Sequence, residues 1–161
     1  MGDDVELEIL HWRVRVDADA TRAAYAVVPR GGADTCECDY CRNWVAQRDA
    51  LLAGPIGALL AQLGIDGSRD AEVVEYGPEL ASGLRHYEAW YDCIGSIVAG
   101  RPVRPAPGTG VVPAATALTD RVGIRLTDSS PLAHAPFAGK ALVRVEITAR
   151  LPWIIEAPPP S

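Results

Sequence analysis

The sequence predicts an α+β fold with a mainly antiparallel sheet and helices packed on one face. Three observations carry this: apolar and polar residues alternate near both ends of the chain, a Leu-rich central segment has helical spacing, and the elements run strand, strand, helices, strand, strand, long loop, strand, strand.

Residues 6 to 16 read as a strand, with Leu10, Trp12, Val14 and Val16 on one face and His11, Arg13 and Arg15 opposite. Val5, Leu7 and Ile9 have the other parity, which a bulge near Ile9 or a start buried on both faces would reconcile. "AYAVVPR", Ala24 to Arg30, reads as a second short strand ended by Pro29, Gly31 and Gly32.

Helical spacing begins after the cysteines. Trp44, Val45, Leu51 and Leu52 form one stripe of a helix from about Asp39 to Ala53. Gly54-Pro55 then starts a second short helix or kinks the first, with Ile56, Leu59, Leu60 and Leu63 buried and Gly64 as a left-handed stop. "AEVVEYGP" is a strand closed by Gly-Pro. The aromatic and β-branched run from Leu84 to Gly100 is another, with a helix over 84–98 as its rival.

Residues 99–117 are rich in Pro and Gly and have no periodicity, which predicts a flexible excursion or linker, or a lid. Val122, Ile124 and Leu126, then Val143, Val145, Ile147 and Ala149, mark two half-buried strands with one wet face. "LPWII" extends the last strand past a proline bend, and residues 156–161 form an exposed tail. The whole, 1–161, is expected to be a single domain.

Hydrophobic residues make up 48% and charged ones 22%, enough to build a core. The net charge of −6 and the scatter of arginines around a single lysine, Lys140, argue against a nucleic-acid partner. No apolar run reaches membrane-spanning length, and the acidic start lacks the regions of a signal peptide. A cytoplasmic location is therefore expected, where Cys36, Cys38, Cys41 and Cys93 would stay reduced.

"TCECDYCRNW" holds the main candidate site. Cys38 and Cys41 have the spacing of a zinc knuckle, and Cys36 points the same way as Cys38 if the backbone between them is extended. Three thiolates then converge, and a fourth ligand must come from elsewhere: Cys93, His86 or His134. A thiol enzyme or redox protein using Cys38 or Cys41 at a helix start is the second reading. Inert packing, cysteine being a small and often buried residue, is the third. On Leu84–Val98, His86, Glu88, Trp90 and Asp92 share one strand face and read as a solvated surface, with a His86–Glu88 acid/base pocket as the sharper alternative. A protein-interaction module, meeting a partner or a second copy of itself, also fits the acidic, arginine-studded surface.

"CECDYCRNW", "LLAQLGID", "EVVEYGPE", "YEAWYDCIGSIVAG" and "ALVRVEITARLPWII" together resemble a family of small bacterial proteins with a C-x-C-x-x-C-x-N segment, for which no activity is established. The resemblance covers most of 5–155 apart from the Pro/Gly excursion. It implies a grouping of Cys36, Cys38, Cys41 and Asn43, and no mechanism.

Overall fold

The computed structural model describes residues 2–109 and 113–161. Its sheet is antiparallel throughout the described pairings, and its α-helices lie together in the sequence between the first hairpin and the third strand, with a short 3-10 turn at Ala135–Phe137, as the α+β reading requires.

The first expected strand is two. β1 (Val5–Ile9) and β2 (Trp12–Val16) form a tight hairpin, turned at Leu10 in the left-handed region with φ 55°. The parity change near Ile9 records this reversal rather than a bulge. The second expected strand is also overturned: α1 (Ala18–Ala26) covers the start of "AYAVVPR". Asp17 caps it, its carboxylate accepting from the Ala20 amide at 2.8 Å, a local signal that outweighs the strand preference of Tyr25 and Val27.

After a one-turn α2 (Gly32–Thr35) come α3 (Asp39–Leu52) and α4 (Pro55–Gln62), which begins at the expected Gly54-Pro55 break. Ile56, Leu60 and Leu63 are buried, Leu59 packs half-buried beside them, and Gly64 stops the segment at φ 78°. A side chain at Gly64 would also press within 2.2 Å of the Ala18 carbonyl. β3 (Glu72–Pro78) and β4 (Arg85–Ala99) are strands, which settles 84–98 against a helix.

β4 organises the sheet. One edge pairs along Arg85–Ile94 with β7 (Leu142–Leu151); the other pairs with β3 through its first half and with β2 from Gly95 onward. Between those partners α1 substitutes for a strand. Asp17, Thr21 and Tyr25, four apart on one helix face, all reach the bare backbone. The Asp17 amide donates to the Ile94 carbonyl at 2.9 Å, and the Thr21 hydroxyl accepts from the Ile94 amide at 3.0 Å. The Tyr25 hydroxyl donates to the Asp92 carbonyl at 2.8 Å and accepts its amide at 3.0 Å. At Gly95 the incoming hairpin comes so near that a Cβ would lie 2.2 Å from the Arg15 carbonyl oxygen.

Beyond β7 the sheet continues through β6 (Val122–Thr127) to the two-residue β5 (Thr116–Ala117). Tyr87, Ala89, Tyr91, Cys93, Val145, Ile147, Ile124 and Leu126 line the face toward the helices and are at most 1% exposed.

The opposite face is not wet. Asp92 and Arg144 are each 1% exposed and joined by two hydrogen bonds of 3.1 Å, with the guanidinium 4.9 Å from the Trp90 ring. Arg125 bridges Glu88 at 2.6 Å and Glu146 at 3.0 Å. The expected solvated surface is thus a buried ladder of ion pairs, viable because Asp92 meets Arg144 and Glu146 meets Arg125 on neighbouring strands, while Arg125 also reaches across β7 to Glu88 on β4. The Pro/Gly excursion contributes cover: the Pro113 carbonyl accepts from Arg125, the Val103 amide from the excursion donates to the Leu126 carbonyl, and the Arg101 carbonyl accepts from the Trp12 indole. Residues 110–112 of that excursion lie outside the described residues.

The last strand ends at Leu151 rather than running through "LPWII". Pro152 to Ile155 turns back over α3 instead, and Ala157–Ser161 follows it as a largely exposed segment.

Candidate metal centre

Cys36, Cys38 and Cys41 lie on the link from α2 into α3, and their sulfurs are within 4.8 Å of one another. The extended backbone at Cys36 and Cys38 (ψ 129° and 154°) turns both side chains to one side, and the first turn of α3 brings Cys41 beneath them. Cys38 caps the helix, its sulfur accepting from the Cys41 amide at 3.5 Å. Cys36 and Cys38 are exposed and Cys41 is buried.

Both flanks of the link are anchored. On the α2 side the buried Asp70 accepts the Gly32 amide through its carbonyl (2.9 Å) and the Ala33 amide through Oδ2 (3.0 Å). Gly31 and Gly32 allow this approach, since a Cβ on either would lie 2.7–2.9 Å from the backbone carbonyls of Ser68 or Ala71. Arg48 of α3 then reaches back to Asp34 at 2.7 Å.

On the α3 side the anchor is Asn43. Wholly buried, its amide nitrogen donates to the Tyr87 hydroxyl and the Pro152 carbonyl, both at 3.1 Å, and its oxygen accepts the Ile154 amide at 2.8 Å. The Tyr87 hydroxyl in turn donates to the Tyr40 carbonyl at 2.9 Å. The asparagine of the C-x-C-x-x-C-x-N segment therefore stitches the cysteine-bearing turn to β4 and to the C-terminal segment. Its three bonds are spent there, so it acts on the site by position.

Electrostatics divide the three sulfurs. Hydrogen bonds from the Cys38 amide, then from its thiol, lower the Cys36 thiol pKa below the usual cysteine value. Burial, foremost, raises that of Cys41. Asp39, in the first turn of α3, is neutralised by Arg42 at 2.8 Å.

Among the described residues no further histidine, cysteine or carboxylate joins the three-sulfur group. Cys93 is wholly buried in the sheet, its thiol pushed up to about 12 by burial, and is part of the core. His86 is on the sheet face away from the helices, 5.7 Å from the Tyr76 ring. Its expected partner Glu88 gives its carboxylate to Arg125 and to the Trp90 indole at 2.8 Å, so the acid/base pocket does not form. His134 is nearer the site, lining with Cys36, Thr35 and Glu72 a cleft of ≈ 720 Å³. Its Nε2 faces the carbonyls of Asp70 (2.8 Å) and Arg69 (3.2 Å).

The chain matches no family model, no curated protein and no solved structure. No helix among the described residues is long and apolar enough to cross a membrane.

Proposed function

We propose that the chain is a zinc-binding protein, with Cys36, Cys38 and Cys41 as thiolate ligands. The observation that carries this reading is the mutual approach of the three sulfurs within 4.8 Å. Zn–S bonds of ~2.3 Å in a tetrahedron need sulfur separations of ~3.8 Å, which side-chain rotation supplies from here. The role is structural: the ion fastens the α2–α3 link onto the first turn of α3. The fourth ligand comes from the cleft beside Cys36, where His134 is the best-placed of the three side chains named above. A proton on Nε2, shared with the two carbonyls, leaves the Nδ1 lone pair for the ion, so that one ring nitrogen ligates while the other donates to backbone.

The test is elemental analysis and Co(II) substitution of reduced, untagged protein. One metal per chain is expected, with sulfur-to-cobalt charge-transfer absorption. Cys38→Ser and Cys41→Ser should each lose metal and thermal stability together, because binding stabilises the folded chain. His134→Ala should retain the charge-transfer bands and change the d–d spectrum. Full metal content in both cysteine variants would sink the zinc reading, and an unchanged d–d spectrum would remove His134 from the ligand set.

A thiol-reactive protein is the second reading, favoured by the exposure of Cys36 and Cys38 and the lowered Cys36 thiol pKa. Metal-free protein in which one thiol alkylates far faster than a free cysteine would move the assignment there.

A further inference from the structure

The three sulfurs differ in what they can do to one another. Cys38 is the N-cap of α3 and Cys41 lies in its first turn, three positions on, with the Cys38 sulfur 3.5 Å from the Cys41 amide. Residues so placed at a helix start have Cα atoms ~5–6 Å apart, the separation a disulfide prefers. Cys36 and Cys38 are two apart on extended backbone, which sets their Cα atoms ~6.6 Å apart, at the upper end of the range a disulfide spans. Cys38 is exposed and Cys41 is buried.

Access is open on both sides of the link. Cys36 lines the cleft it shares with His134 and also a second of ≈ 710 Å³, walled by Val45 and Ile155. A small oxidant therefore reaches the exposed sulfurs of Cys36 and Cys38 without movement of the fold. Zinc holds its cysteines as thiolates, and the thiolate is the form that attacks a peroxide.

We infer that the metal centre is a peroxide-operated switch, in which oxidation joins Cys38 to Cys41 and expels the zinc ion. The switch rests on the zinc reading above. The Cys38 thiolate attacks one oxygen of a hydroperoxide: the S–O bond forms, the O–O bond breaks, and alkoxide (hydroxide from hydrogen peroxide) leaves with the electron pair. The Cys41 thiolate then attacks the sulfenyl sulfur of Cys38, and hydroxide departs as the S–S bond forms. The two sulfurs have lost two electrons and the peroxide has gained them. Two of the thiolates that held the ion are gone, and it leaves. An oxidation that begins at Cys36 ends at the same bond, because exchange through Cys38 passes the disulfide to Cys41 and returns Cys36 as a thiolate.

The fold is built to outlast the loss of the ion. Asp70 and Arg48 hold α2, and Asn43 holds α3, through contacts that include no sulfur. The new bond closes the first turn of α3 where the ion did.

The experiment uses the full chain, reduced, loaded with zinc and treated with hydrogen peroxide. A chromogenic chelator counts the released zinc, peptide mapping locates the disulfide, and the amide resonances of ¹⁵N-labelled protein follow the core. Release of one zinc per chain is expected, with a Cys38–Cys41 bond, amides of β4 and β7 in place, and full zinc content again after reduction and re-addition of zinc. Metal-free Cys36→Ser should form the same bond, a readout of the sulfur geometry that needs no zinc. Zinc retained at millimolar peroxide, a lasting disulfide that includes Cys36, no bond in Cys36→Ser, or loss of the core amides along with the zinc would each overturn the switch while leaving the zinc reading in place. A chain that takes up no zinc before peroxide is added fails the zinc reading itself, and the switch with it.

Discussion

The Tyr25 hydroxyl bonds both backbone groups of Asp92, donating to the carbonyl at 2.8 Å and accepting the amide at 3.0 Å. A helix side chain thereby replaces one rung of a β-ladder, at a place where neither β2 nor β3 reaches β4. Tyr25→Phe leaves the packing nearly unchanged and strips both backbone groups of their partner. The expected loss is ~2–3 kcal/mol, the penalty of unsatisfied buried polar groups. Urea unfolding of the variant measures it. A loss below ~0.5 kcal/mol would mean that another group replaces the hydroxyl and that this rung adds little.

Asn43→Ala should cost ~2–3 kcal/mol, because it orphans the Ile154 amide and removes the donor to the buried Tyr87 hydroxyl, while the Pro152 carbonyl keeps the Gln47 side chain at 2.9 Å. Hydrogen exchange at Ile154 should quicken more than exchange in β6. Metal stoichiometry should hold under saturating zinc, since Asn43 binds no ion. Slow exchange at Ile154 in the variant would show that the C-terminal segment is held by other contacts.

Breaking the buried pair from one side is predicted to be far worse than removing it whole. Arg144→Met strands the Asp92 carboxylate at 1% exposure and should cost ~3–5 kcal/mol. Adding Asp92→Leu should restore the protein to within ~1 kcal/mol of wild type, as apolar replacements of whole buried pairs often do. The comparison is a double-mutant cycle read by denaturation. Simple additivity of the two single losses would contradict it.

Asp70 gives the chain a pH signature. Burial, the largest influence, raises its carboxyl pKa above 3.8, and Oδ1 has no hydrogen-bond partner; Arg48 opposes the rise and Asp34 adds to it. A raised pKa means that the folded state binds the proton more tightly than the unfolded one. The stabilisation linked to that proton is full below 3.8 and is lost as pH rises through the folded value. Asp70→Asn keeps an oxygen for the Ala33 amide and removes the titration. Relative to wild type, its stability should therefore improve as pH rises from 4 to 7. A pH-independent difference between the two proteins would show that Asp70 does not titrate in this range.

Legibility in the sequence followed locality. α3, the Pro55 start of α4, β3, β4, β6 and β7 each announce themselves through spacing or punctuation that a short window contains. The cysteine grouping was equally local, because six positions with extended backbone followed by a helix start bring the sulfurs together by themselves. Most of the failures were decided at a distance. Tyr25 reads as a strand residue until its hydroxyl is seen to serve Asp92, 67 positions away. Leu10 reads as part of an alternating run because its positive φ carries no turn dipeptide to mark it. The polar face of β4, β6 and β7 looks wet because Asp92 meets Arg144 and Glu88 meets Arg125 only after the strands pair. Asn43 stood out only by its place in the motif; its partners at Tyr87, Pro152 and Ile154 have no signature within reach of it.

The charges on the far face of the sheet also act as a check on strand alignment. In the native pairing Asp92 faces Arg144 and Trp90 faces Glu146. Sliding β7 by two residues along β4 preserves which side chains face the helices, so the apolar pattern cannot reject it. Yet one such slip sets Asp92 opposite Glu146 and the other sets Glu88 opposite Glu146. On the next seam, a slip in one direction brings Arg125 against Arg144. Like charges face each other in a dry layer in each case, and that misthreaded sheet is rejected during assembly. The hydrophobic side of these strands chooses their facing, and the ionic side chooses their position along the chain.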